Sequence, residues 1–525
     1  MISLSSWTDS VGALCSSCAF FILTAAFLYY QHRTAKKSNR ETKKALLQRT
    51  LTPVGKFALL SQTERNPSII SFFIALASKN DKGMTTQEFE QLWAEVLKRH
   101  ERFHYHVSEE NNRLFEEATN KSLHDYTVEL PHPLDADEFK ERINLFLTAP
   151  LDVTDKQWQV CISSGPMGTS GAIINSKELI EQGYKVESVA LFRVHHVLCD
   201  GVSISVVCKD ICDERDKLNT LLLDAVEKYE AHVKKMGLLK KAAGFIMYYI
   251  FGSIMALSRQ FWHMLTSRNP FEEIVDTKKT KCSGHRSTCW KYLALVDDAK
   301  AVAKSIGHHT KLNDLFTALL SRALERQYED LRLKSAQAQT ICPPKHISIV
   351  VPVHLTGSIL PGQSIGNRVG AFVARVPFNP SKQFSSLSRL SRISKILSRA
   401  KRTPAPLISW FITALISKLG IVRVAQDSIV RANCHAVAVL SNVHGYPFEI
   451  HWRGMPVKNL CPFLPLPPKV PVGVLVTSYD GRIILSVESA DERVVPDTEA
   501  FLDYMLEEYE AIKYEIAQKR VASKE

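Results

Sequence analysis

The sequence has no cysteine arrangement that would support a disulfide framework, because its 11 cysteines are scattered and odd in number. This usage is typical of a reducing compartment. The sequence also lacks internal repeats, low-complexity tracts and a glycine-rich phosphate-binding loop, which excludes repeat proteins and P-loop nucleotide hydrolases. Cys15 and Cys18 form one Cys-x-x-Cys, but they lie in an apolar segment where a redox role is not expected.

The charge balance of the chain is basic, with a formal net charge of +12 and a pI near 9.0. A protein of this charge is attracted to anionic surfaces. The sequence shows no zinc-ligand spacing, no RNA-binding aromatic motif and no DNA-binding helix pattern. We therefore expect membrane lipid or the phosphates of a coenzyme as the anionic partner, and not nucleic acid.

Length and hydrophobic periodicity indicate a folded protein of two lobes. The 525 residues suit two lobes of about 200 residues each, and a hydrophobic content of 45% is that of a globular protein. The pattern predicts a helix over 88–99, a strand over 102–107, a hairpin over 472–488 and a final helix over 497–513. The proline-rich stretch 462–468 is expected to be a surface or channel-lining loop.

An uncharged run over residues 11–30 is long enough to cross the roughly 30 Å hydrocarbon core of a bilayer. Six basic residues follow between Arg33 and Lys44, whereas Asp9 is the only charged side chain before the run. The positive-inside rule then predicts a single-pass anchor, expected in the endoplasmic reticulum membrane, with the rest of the chain in the cytosol. A cleaved signal peptide is the alternative, which the missing basic start and cleavage site disfavour.

Two more segments have the composition of membrane contacts. Residues 242–257 carry no charge but are short for a span, so they predict an interfacial helix, a re-entrant helix or a buried crossover. Residues 387–402 combine an apolar stripe with many arginines and lysines, and an apolar segment over 406–412 follows. This pattern predicts a surface lying on anionic lipid, and the alternative is a solvated helix over the core of the second lobe.

The most informative segment is residues 195–201, HHVLCDG, which we call the His motif. It follows an alternating strand pattern over 189–194 and precedes an apolar-periodic helix over 203–211. A histidine at a strand end can be held rigidly, and its ordinary pKa near 6.5 suits it to accept a proton from a hydroxyl. His196 is therefore the candidate general base, and the alternative is a pair of buried histidines beside a turn.

The other residues of the His motif have expected supporting roles. Asp200 is placed to brace the loop, and Gly201 allows backbone or substrate to come close. Cys199 is expected to be a small buried spacer and not a nucleophile, because the neighbouring histidine already explains the site.

The His motif resembles the signature of the chloramphenicol acetyltransferase-like superfamily. Further segments resemble motifs of one of its families, the wax ester synthase/diacylglycerol acyltransferase family, and they occur in that family's order: residues 310–315 (TKLNDL), 351–355 (VPVHL), 366–368 (GNR), 441–445 (SNVHG), 477–481 (TSYDG) and a closing Pro496-Asp497. Each motif is short, but together they cover most of the chain after the first 50 residues.

Two positions depart from the family pattern. Where the family has Pro-Leu-Trp before the His motif, residues 156–158 read Lys-Gln-Trp and keep only Trp158. The family's Pro-Val strand ends in Arg, and Thr356 stands at that position. In related folds this Arg pairs with the Asp of the His motif, so the resemblance leaves the partner of Asp200 open, with Arg368 as a candidate.

The resemblance implies an α/β fold of two similar lobes with mixed sheets, and a catalytic histidine on a channel between them. It implies an acyltransferase that uses acyl-CoA as co-substrate to esterify a long-chain fatty alcohol or diacylglycerol, giving wax ester or triacylglycerol. The residues do not separate these two products. A short-chain alcohol acyltransferase and a non-catalytic lipid-binding relative are the alternatives.

The same resemblance assigns roles to residues. It makes His196 the general base, leaves His195, Asp200 and Gly201 to shape the loop, and makes Asn313 a candidate for positioning the substrate or stabilising the oxyanion. The expected substrate-binding residues are Ser441, Asn442 and Asn367. No metal and no bound cofactor are expected, and the histidines at 100, 104 and 106 have no cysteine or paired carboxylate in register.

The expected organisation has four parts. Residues 1–45 are the membrane anchor with its basic flank, and 46–235 are the first lobe with the His motif. Residues 236–280 are an apolar crossover, and 281–525 are the second lobe. The expected partners are acyl-CoA, a lipid alcohol and membrane lipid.

Overall fold

The computed structural model describes residues 48–63, 66–79, 82–110, 113–130, 136–163, 181–235, 237–275, 286–334, 336–380, 385–419 and 430–522. The predicted anchor over 11–30 and its basic flank lie outside these residues. The described chain is α/β, with two six-stranded sheets, one three-stranded sheet and covering helices. The predicted class of mixed α/β lobes is thereby confirmed.

The strands, in chain order, are β1 (Gln48–Thr50), β2 (Ile69–Ser78), β3 (Tyr105–Glu110), β4 (Arg113–Ala118), β5 (Thr127–Glu129), β6 (Trp158–Ser163), β7 (Lys185–His195), β8 (Ser287–Leu295), β9 (His346–His354), β10 (Val369–Pro377), β11 (Ala438–His444), β12 (His451–Trp452), β13 (Met455–Phe463), β14 (Val472–Tyr479) and β15 (Arg482–Ser489).

The α-helices are α1 (Pro53–Ser61), α2 (Thr86–Leu97), α3 (Ala136–Thr148), α4 (Gly201–Ile211), α5 (Arg215–Lys234), α6 (Leu238–Phe245), α7 (Gly252–Thr266), α8 (Pro270–Ile274), α9 (Val296–Lys304), α10 (Leu312–Leu333), α11 (Ala336–Gln339), α12 (Ser386–Lys401), α13 (Ala405–Leu419) and α14 (Thr498–Ala522). A π-helical turn, Ile246–Phe251, joins α6 to α7.

The first six-stranded sheet has the order β12-β13-β2-β7-β6-β5, and its centre is the antiparallel pair of β2 and β7. β2 reads as a continuous apolar run because both of its faces are covered, and all of its residues except Ser78 are buried. Phe72 and Phe192 stack on this sheet with ring centroids 4.5 Å apart. The His motif begins with His195, the last residue of β7. It therefore starts at the end of a central strand of this sheet.

The second sheet has the order β10-β9-β11-β14-β15-β8, and β11 runs parallel to both β9 and β14. β14 and β15 form the predicted hairpin, in which Asp480 and Gly481 have φ angles of 48° and 71°. These are the left-handed conformations that a tight two-residue hairpin turn requires. The predicted final helix is α14, which is longer than expected and buries Phe501, Met505 and Tyr509 against this lobe.

One strand of the first sheet comes from the second half of the chain. β13 pairs antiparallel with β2, placing Leu460 opposite Ile74 and Phe463 opposite Ser71. The two lobes therefore share a sheet and form one unit.

The proline-rich stretch 462–468 is not a surface loop, so that alternative is wrong, and the channel-lining loop stays a prediction. It begins at the end of β13, and Phe463, Leu464 and Leu466 are at most 5% exposed. Proline disfavours central strand pairing but permits a strand end, so the apolar side chains between the prolines can still enter the core.

The predicted strand over 102–107 is wrong at its start, because Glu101–His104 form a 3₁₀ helix and β3 begins at Tyr105. This turn lets the guanidinium of Arg102 form a buried ion pair with Glu116, with an Nη2 to Oε1 distance of 2.5 Å. The preceding helix agrees with the prediction for 88–99. It is α2, and it buries Trp93 among other side chains of its apolar face.

The prediction that residues 387–402 lie on a membrane is also wrong. This segment is α12, whose apolar stripe is buried in the core of the second lobe, with Leu390 and Ile393 fully covered. Arg389 is buried too, and its Nη2 lies 2.9 Å from Glu325 Oε2. The alternative, a helix over the core of the second lobe, is therefore correct.

Residues 238–266 form a helical arm that runs from α6 through the π-helical turn to the end of α7. Within the described residues, one helical stretch, Ala242–Ile274, has the length and composition to cross a membrane, but only 17% of its apolar window is buried. Most of its large apolar side chains are exposed, which excludes the buried crossover.

The helical arm packs along the second lobe. Gly252 faces Pro404, where an added Cβ would lie 3.1 Å from the proline Cδ, and Gln260 donates to the carbonyl of Ala432. Near its end Arg375 Nη1 donates to Thr266 Oγ1 at 2.8 Å. A spanning helix would separate the two lobes by a bilayer, yet these lobes share the first sheet. The arm therefore lies along the surface of the folded protein.

Candidate active site

The His motif lies where the two lobes meet. The N–H of His196 donates to the carbonyl of Ser68 at 2.8 Å, on the side of the first lobe. On the other side, Ser203 Oγ in α4 donates to the carbonyl of Gly366 at 2.7 Å. The motif is therefore held by backbone groups of both lobes.

His195 is fully buried, and both of its ring nitrogens are engaged. Nδ1 accepts from the N–H of Val197 at 3.0 Å, which assigns the ring proton to Nε2, and Nε2 donates to Gln62 Oε1 at 2.9 Å. Burial, and then the neighbouring His196, lower the pKa of His195 to about 3. At neutral pH this ring is uncharged and fixed, which suits it to shaping the loop.

His196 is half-buried, and its carbonyl accepts from Asn367 Nδ2 at 2.7 Å. Burial lowers the pKa of His196 below its ordinary value, while Asp200, its own carbonyl and Asn367 act in the opposite direction. At neutral pH the ring is therefore uncharged, the state in which a histidine can accept a proton.

Asp200 is fully buried and caps α4. Its Oδ1 accepts from the N–H of Ser203 at 2.9 Å, and its Oδ2 accepts from the N–H of Arg368 at 2.8 Å. Arg368 thus contacts Asp200 through its backbone. The carboxylate links the start of α4 in the first lobe to the loop before β10 in the second.

The ring of His354 is the basic side chain beside Asp200. Its Nε2 lies 3.6 Å from Asp200 Oδ2, and its Nδ1 lies 3.3 Å from Thr356 Oγ1. Burial lowers the pKa of His354, and Asp200 opposes this shift. His354, two residues before Thr356, is therefore the ring that the strand β9 places beside Asp200.

Replacing Asp200 with Asn should keep the helix cap and break the link to the second lobe. The amide oxygen can still accept from Ser203, but the NH₂ group would face the N–H of Arg368. An unpaired buried donor costs about 1–3 kcal/mol. Thermal melts should show this loss, and turnover per folded molecule should fall as well. Asp297→Asn is the control, because that carboxylate is 93% exposed; unchanged turnover per folded Asp200→Asn molecule would remove Asp200 from the site.

Two residues that hold the His motif were missed in the sequence, Thr52 and Gly55. A Cβ on Gly55 would lie 2.5 Å from the carbonyl oxygen of Val197, so α1 packs directly against the motif. Thr52 caps α1, and its Oγ1 accepts from Asn367 Nδ2 at 3.2 Å. The signal was present as Thr52-Pro53, a helix cap followed by proline at the first helical position.

Asn367 was expected to bind substrate, and the structure places it against the backbone of the His motif. It is 4% exposed, and its Nδ2 is engaged by His196 and Thr52. This position suits a residue that orients His196.

Gly201 is the first residue of α4, and the described chain leaves room beside it. An added Cβ would meet Val443 Cγ2 at 3.7 Å, an ordinary contact. The expected close approach of backbone is therefore absent among the described residues, and close approach by substrate stays a prediction.

Asn313 and Asn442 form a pair in the second lobe. Asn442 Nδ2 donates to Asn313 Oδ1 at 2.5 Å, which joins β11 to the start of α10. The next residue of β11, Val443, faces Gly201, and because neighbouring residues of a strand point to opposite faces, the Asn313 and Asn442 pair lies on the other face of β11. Ser441 precedes Asn442 on β11 and is half-buried.

Asp314, beside Asn313, is buried and anchors α10. Its carboxylate accepts from the N–H of Lys311 at 3.0 Å, from Ser394 Oγ at 3.1 Å and from Lys401 Nζ at 2.7 Å. Asp314 therefore fixes the helix that presents Asn313.

Cys199 is buried, and burial raises the pKa of its thiol well above the ordinary value. A protonated buried thiol fits the predicted spacer and not a nucleophile. Among the described residues no group of three or more His, Cys, Asp or Glu side chains is arranged to hold a metal ion. His100 instead lies 2.9 Å from Asp210 Oδ2.

Comparisons with known proteins show what this chain is similar to. Residues 365–513 match the model of the WS/DGAT C-terminal domain. Wax ester synthase/diacylglycerol acyltransferase 6 of Arabidopsis thaliana is 23% identical over 424 residues, which cover 73% of this chain and 76% of that protein.

Solved structures share the fold. The wax ester synthase/diacylglycerol acyltransferase from Marinobacter aquaeolei VT8 matches with a TM-score of 0.55 and 16% identity, covering 89% of this chain and all of that one. The starter condensation domain of rhizomide synthetase, solved in complex with C8-CoA and Leu-SNAC, matches with a TM-score of 0.51 and 9% identity, covering 88% of this chain and 94% of that one. The family resemblance read from the motifs is thereby confirmed: the chain is similar to wax ester synthase/diacylglycerol acyltransferases over most of its length, and these similarities support an acyltransferase enzyme.

Proposed function

We propose that the chain is a membrane-bound, acyl-CoA-dependent O-acyltransferase that esterifies a long-chain fatty alcohol or diacylglycerol. The observation that carries this proposal is His196, an uncharged histidine fixed by both lobes at their junction. A positioned base there can activate a hydroxyl group.

The proposed reaction is direct transfer. His196 takes the proton of the acceptor hydroxyl as its oxygen attacks the thioester carbonyl. The carbon–sulfur bond of the tetrahedral intermediate then breaks, the ester is released, and His196 returns the proton to the departing CoA thiolate. The histidine ends as it began, so the step needs neither a covalent acyl-enzyme nor a metal.

The remaining site residues have positioning roles in this proposal. His195 and Asp200 fix the loop through the contacts described above, and Asn367 holds the carbonyl of His196. The Asn313 and Asn442 pair supplies amide groups on the second lobe that can polarise the thioester carbonyl.

Acyl-CoA is proposed as the donor because the fold is shared with a condensation domain that is described with bound C8-CoA. The acceptor is proposed to be a lipid because the helical arm and α13 expose many apolar side chains. A small soluble alcohol would need no such surface, which disfavours the short-chain alternative.

We also propose that the catalytic region is cytosolic, with the predicted anchor over 11–30 in the endoplasmic reticulum membrane. Asn120 begins an Asn-Lys-Ser glycosylation sequon and is exposed. Endoglycosidase-sensitive sugar on Asn120 would contradict this orientation, and protease protection of an N-terminal tag would support it.

The function is tested by supplying labelled long-chain acyl-CoA to the full chain with hexadecanol, diacylglycerol or butanol as acceptor. We expect labelled wax ester or triacylglycerol, at a rate at least tenfold above the rate with butanol. His196→Ala provides the background. Ester from butanol alone would support the short-chain alternative, and no ester from any acceptor would refute the proposal.

A further inference from the structure

The exposed apolar side chains of the helical arm and α13 form one surface, which we call the apolar ridge. The two elements are neighbours, because Gly252 of the arm lies against Thr403 and Pro404, just before α13. The ridge consists of Phe245, Ile246, Met247, Phe251, Ile254, Met255, Phe261, Trp262, Leu265, Ile412, Leu415 and Leu419, each at least 41% exposed. In the described part of the chain nothing covers it. An apolar surface of this extent marks an interaction site.

A group of three arginines and two histidines lies beside the ridge, at the end of the helical arm. We call it the basic cluster, and its members are Arg259, His263, His346, Arg375 and Arg399. Arg259 and His263 are one turn apart on α7. Arg375, on edge strand β10, reaches α7 through its bond to Thr266 Oγ1 at 2.8 Å.

The basic cluster contains charges of one sign. The ionisable groups that act on His263 are Arg375, Arg259 and His346, and the one that acts on Arg259 is Arg399. Arg375, Arg259 and Arg399 are cations, whereas the lowered pKa values of His263 and His346 leave both rings uncharged at neutral pH, and no described carboxylate is among the groups that act on His263 or Arg259. Like charges held together at a half-buried site repel each other, so an anion bound between them would be stabilised.

The guanidinium groups favour a phosphate as this anion. Arg375 uses its Nη atoms on Thr266, while its buried Nε has no hydrogen-bond acceptor among the described residues. A planar guanidinium binds phosphate through two parallel hydrogen bonds, which a single carbonyl cannot satisfy.

The exposed side chains next to the basic cluster indicate whether the phosphate belongs to a lipid or to a soluble molecule. Phe261, Trp262 and Leu265 project from the same two turns of α7 as Arg259 and His263, and each is at least 62% exposed. A soluble phosphate would leave these side chains in water. A bilayer covers them and presents phosphate at the adjoining headgroup level, where tryptophan is also favoured.

We propose that the basic cluster and the apolar ridge together bind the headgroup and acyl region of an anionic phospholipid, and so seat the second lobe on the membrane surface. This inference rests on the proposed function, since a lipid acceptor is dissolved in that membrane. It also assigns the anionic partner that the net charge of +12 indicates.

The test is quenching of tryptophan fluorescence in the full chain in neutral detergent micelles. Brominated phosphatidylserine is the probe, and brominated phosphatidylcholine is the matched neutral lipid. We expect saturable quenching with the anionic lipid at a lower half-saturation than with the neutral one, and a smaller amplitude of quenching in Trp262→Phe. Added salt should weaken it by screening the charges.

Variants separate the basic cluster from the general charge of the protein. Arg259→Gln should raise the half-saturation for phosphatidylserine about fivefold, and adding Arg375→Gln should raise it about fivefold more. Arg113→Gln, at an exposed arginine on the three-stranded sheet, should change nothing. Because Arg375 also bonds to Thr266, thermal melts must show that the variant with Arg375→Gln is folded. The single variant Arg259→Gln leaves that bond in place, so it tests lipid binding without this complication.

Three outcomes would overturn the proposal: equal half-saturation for the two lipids, an unchanged half-saturation in Arg259→Gln, or displacement of phosphatidylserine by excess coenzyme A. The last would assign the basic cluster to a soluble phosphate. His196→Ala should bind phosphatidylserine as the wild type does. Failure of the lipid site is therefore distinguishable from failure of the proposed function, which is measured as ester formed.

Discussion

Replacing His196 with Ala is expected to lower the rate of ester formation by about 10²- to 10⁴-fold, the usual cost of removing a positioned general base. The ring is half-buried and its backbone is held by Ser68 and Asn367, so its loss should leave the loop in place. Turnover of labelled acyl-CoA, with a thermal melt of each variant, measures both effects.

The control for this variant is His124→Ala, since the His124 side chain is 83% exposed. It should turn over as the wild type does. In the wild type, kcat/KM should fall only below the ordinary histidine pKa near 6.5, because burial lowers the pKa of His196 and a base acts in its neutral form. Near-normal turnover by a well-folded His196→Ala protein would leave His196 without a catalytic role.

Local patterns were sufficient to predict the elements that carry the His motif. The strand over 189–194 and the helix over 203–211 lie within β7 and α4, because alternation and helical spacing act over a few neighbouring residues. The hairpin of β14 and β15 followed from its Asp-Gly turn in the same way.

The amphipathic pattern of residues 387–402 correctly predicts a helix, α12, but the predicted contact of that helix with a membrane is wrong. An apolar stripe is equally stable against lipid or against a protein core, so the pattern cannot choose between them. The choice depends on partners far along the chain, namely Glu325 and Glu508, which lie against Arg389. The helical arm differs from α12, because its apolar side chains stay exposed and no described part of the protein covers them.

The contacts around the His motif were beyond prediction for a similar reason. Gly55, Asn367 and His354 lie far from the motif in sequence, and the folding of both lobes brings them to it. β13 joins β2 across almost 400 residues, and only the final packing selects that pairing. Arg368, the candidate partner of Asp200, does bond to it, but through its backbone N–H and not its guanidinium, and the ring beside Asp200 belongs to His354.

The second large expected effect concerns the buried ion pair of Arg102 and Glu116. Arg102→Ala should destabilise the protein by about 3–5 kcal/mol, because it leaves the carboxylate of Glu116 buried at 1% exposure without its partner. Urea denaturation of the variant measures this loss. Arg49→Ala is the control, since its ion pair with Glu101 is long at 3.9 Å and exposed.

The pair also supports the site, so its removal should reduce turnover through geometry. An Arg102 Nη1 atom lies 3.4 Å from the place of a Cβ on Gly366, the residue whose carbonyl accepts from Ser203. Replacing both partners, as Arg102→Met with Glu116→Leu, removes the unpaired charge and should recover most of the stability. If the single Arg102→Ala variant unfolds at the same urea concentration as the wild type, the pair is not a support of the loop at residues 366–368. If the double variant is stable but slow, the guanidinium itself positions that loop and, through Asn367, His196.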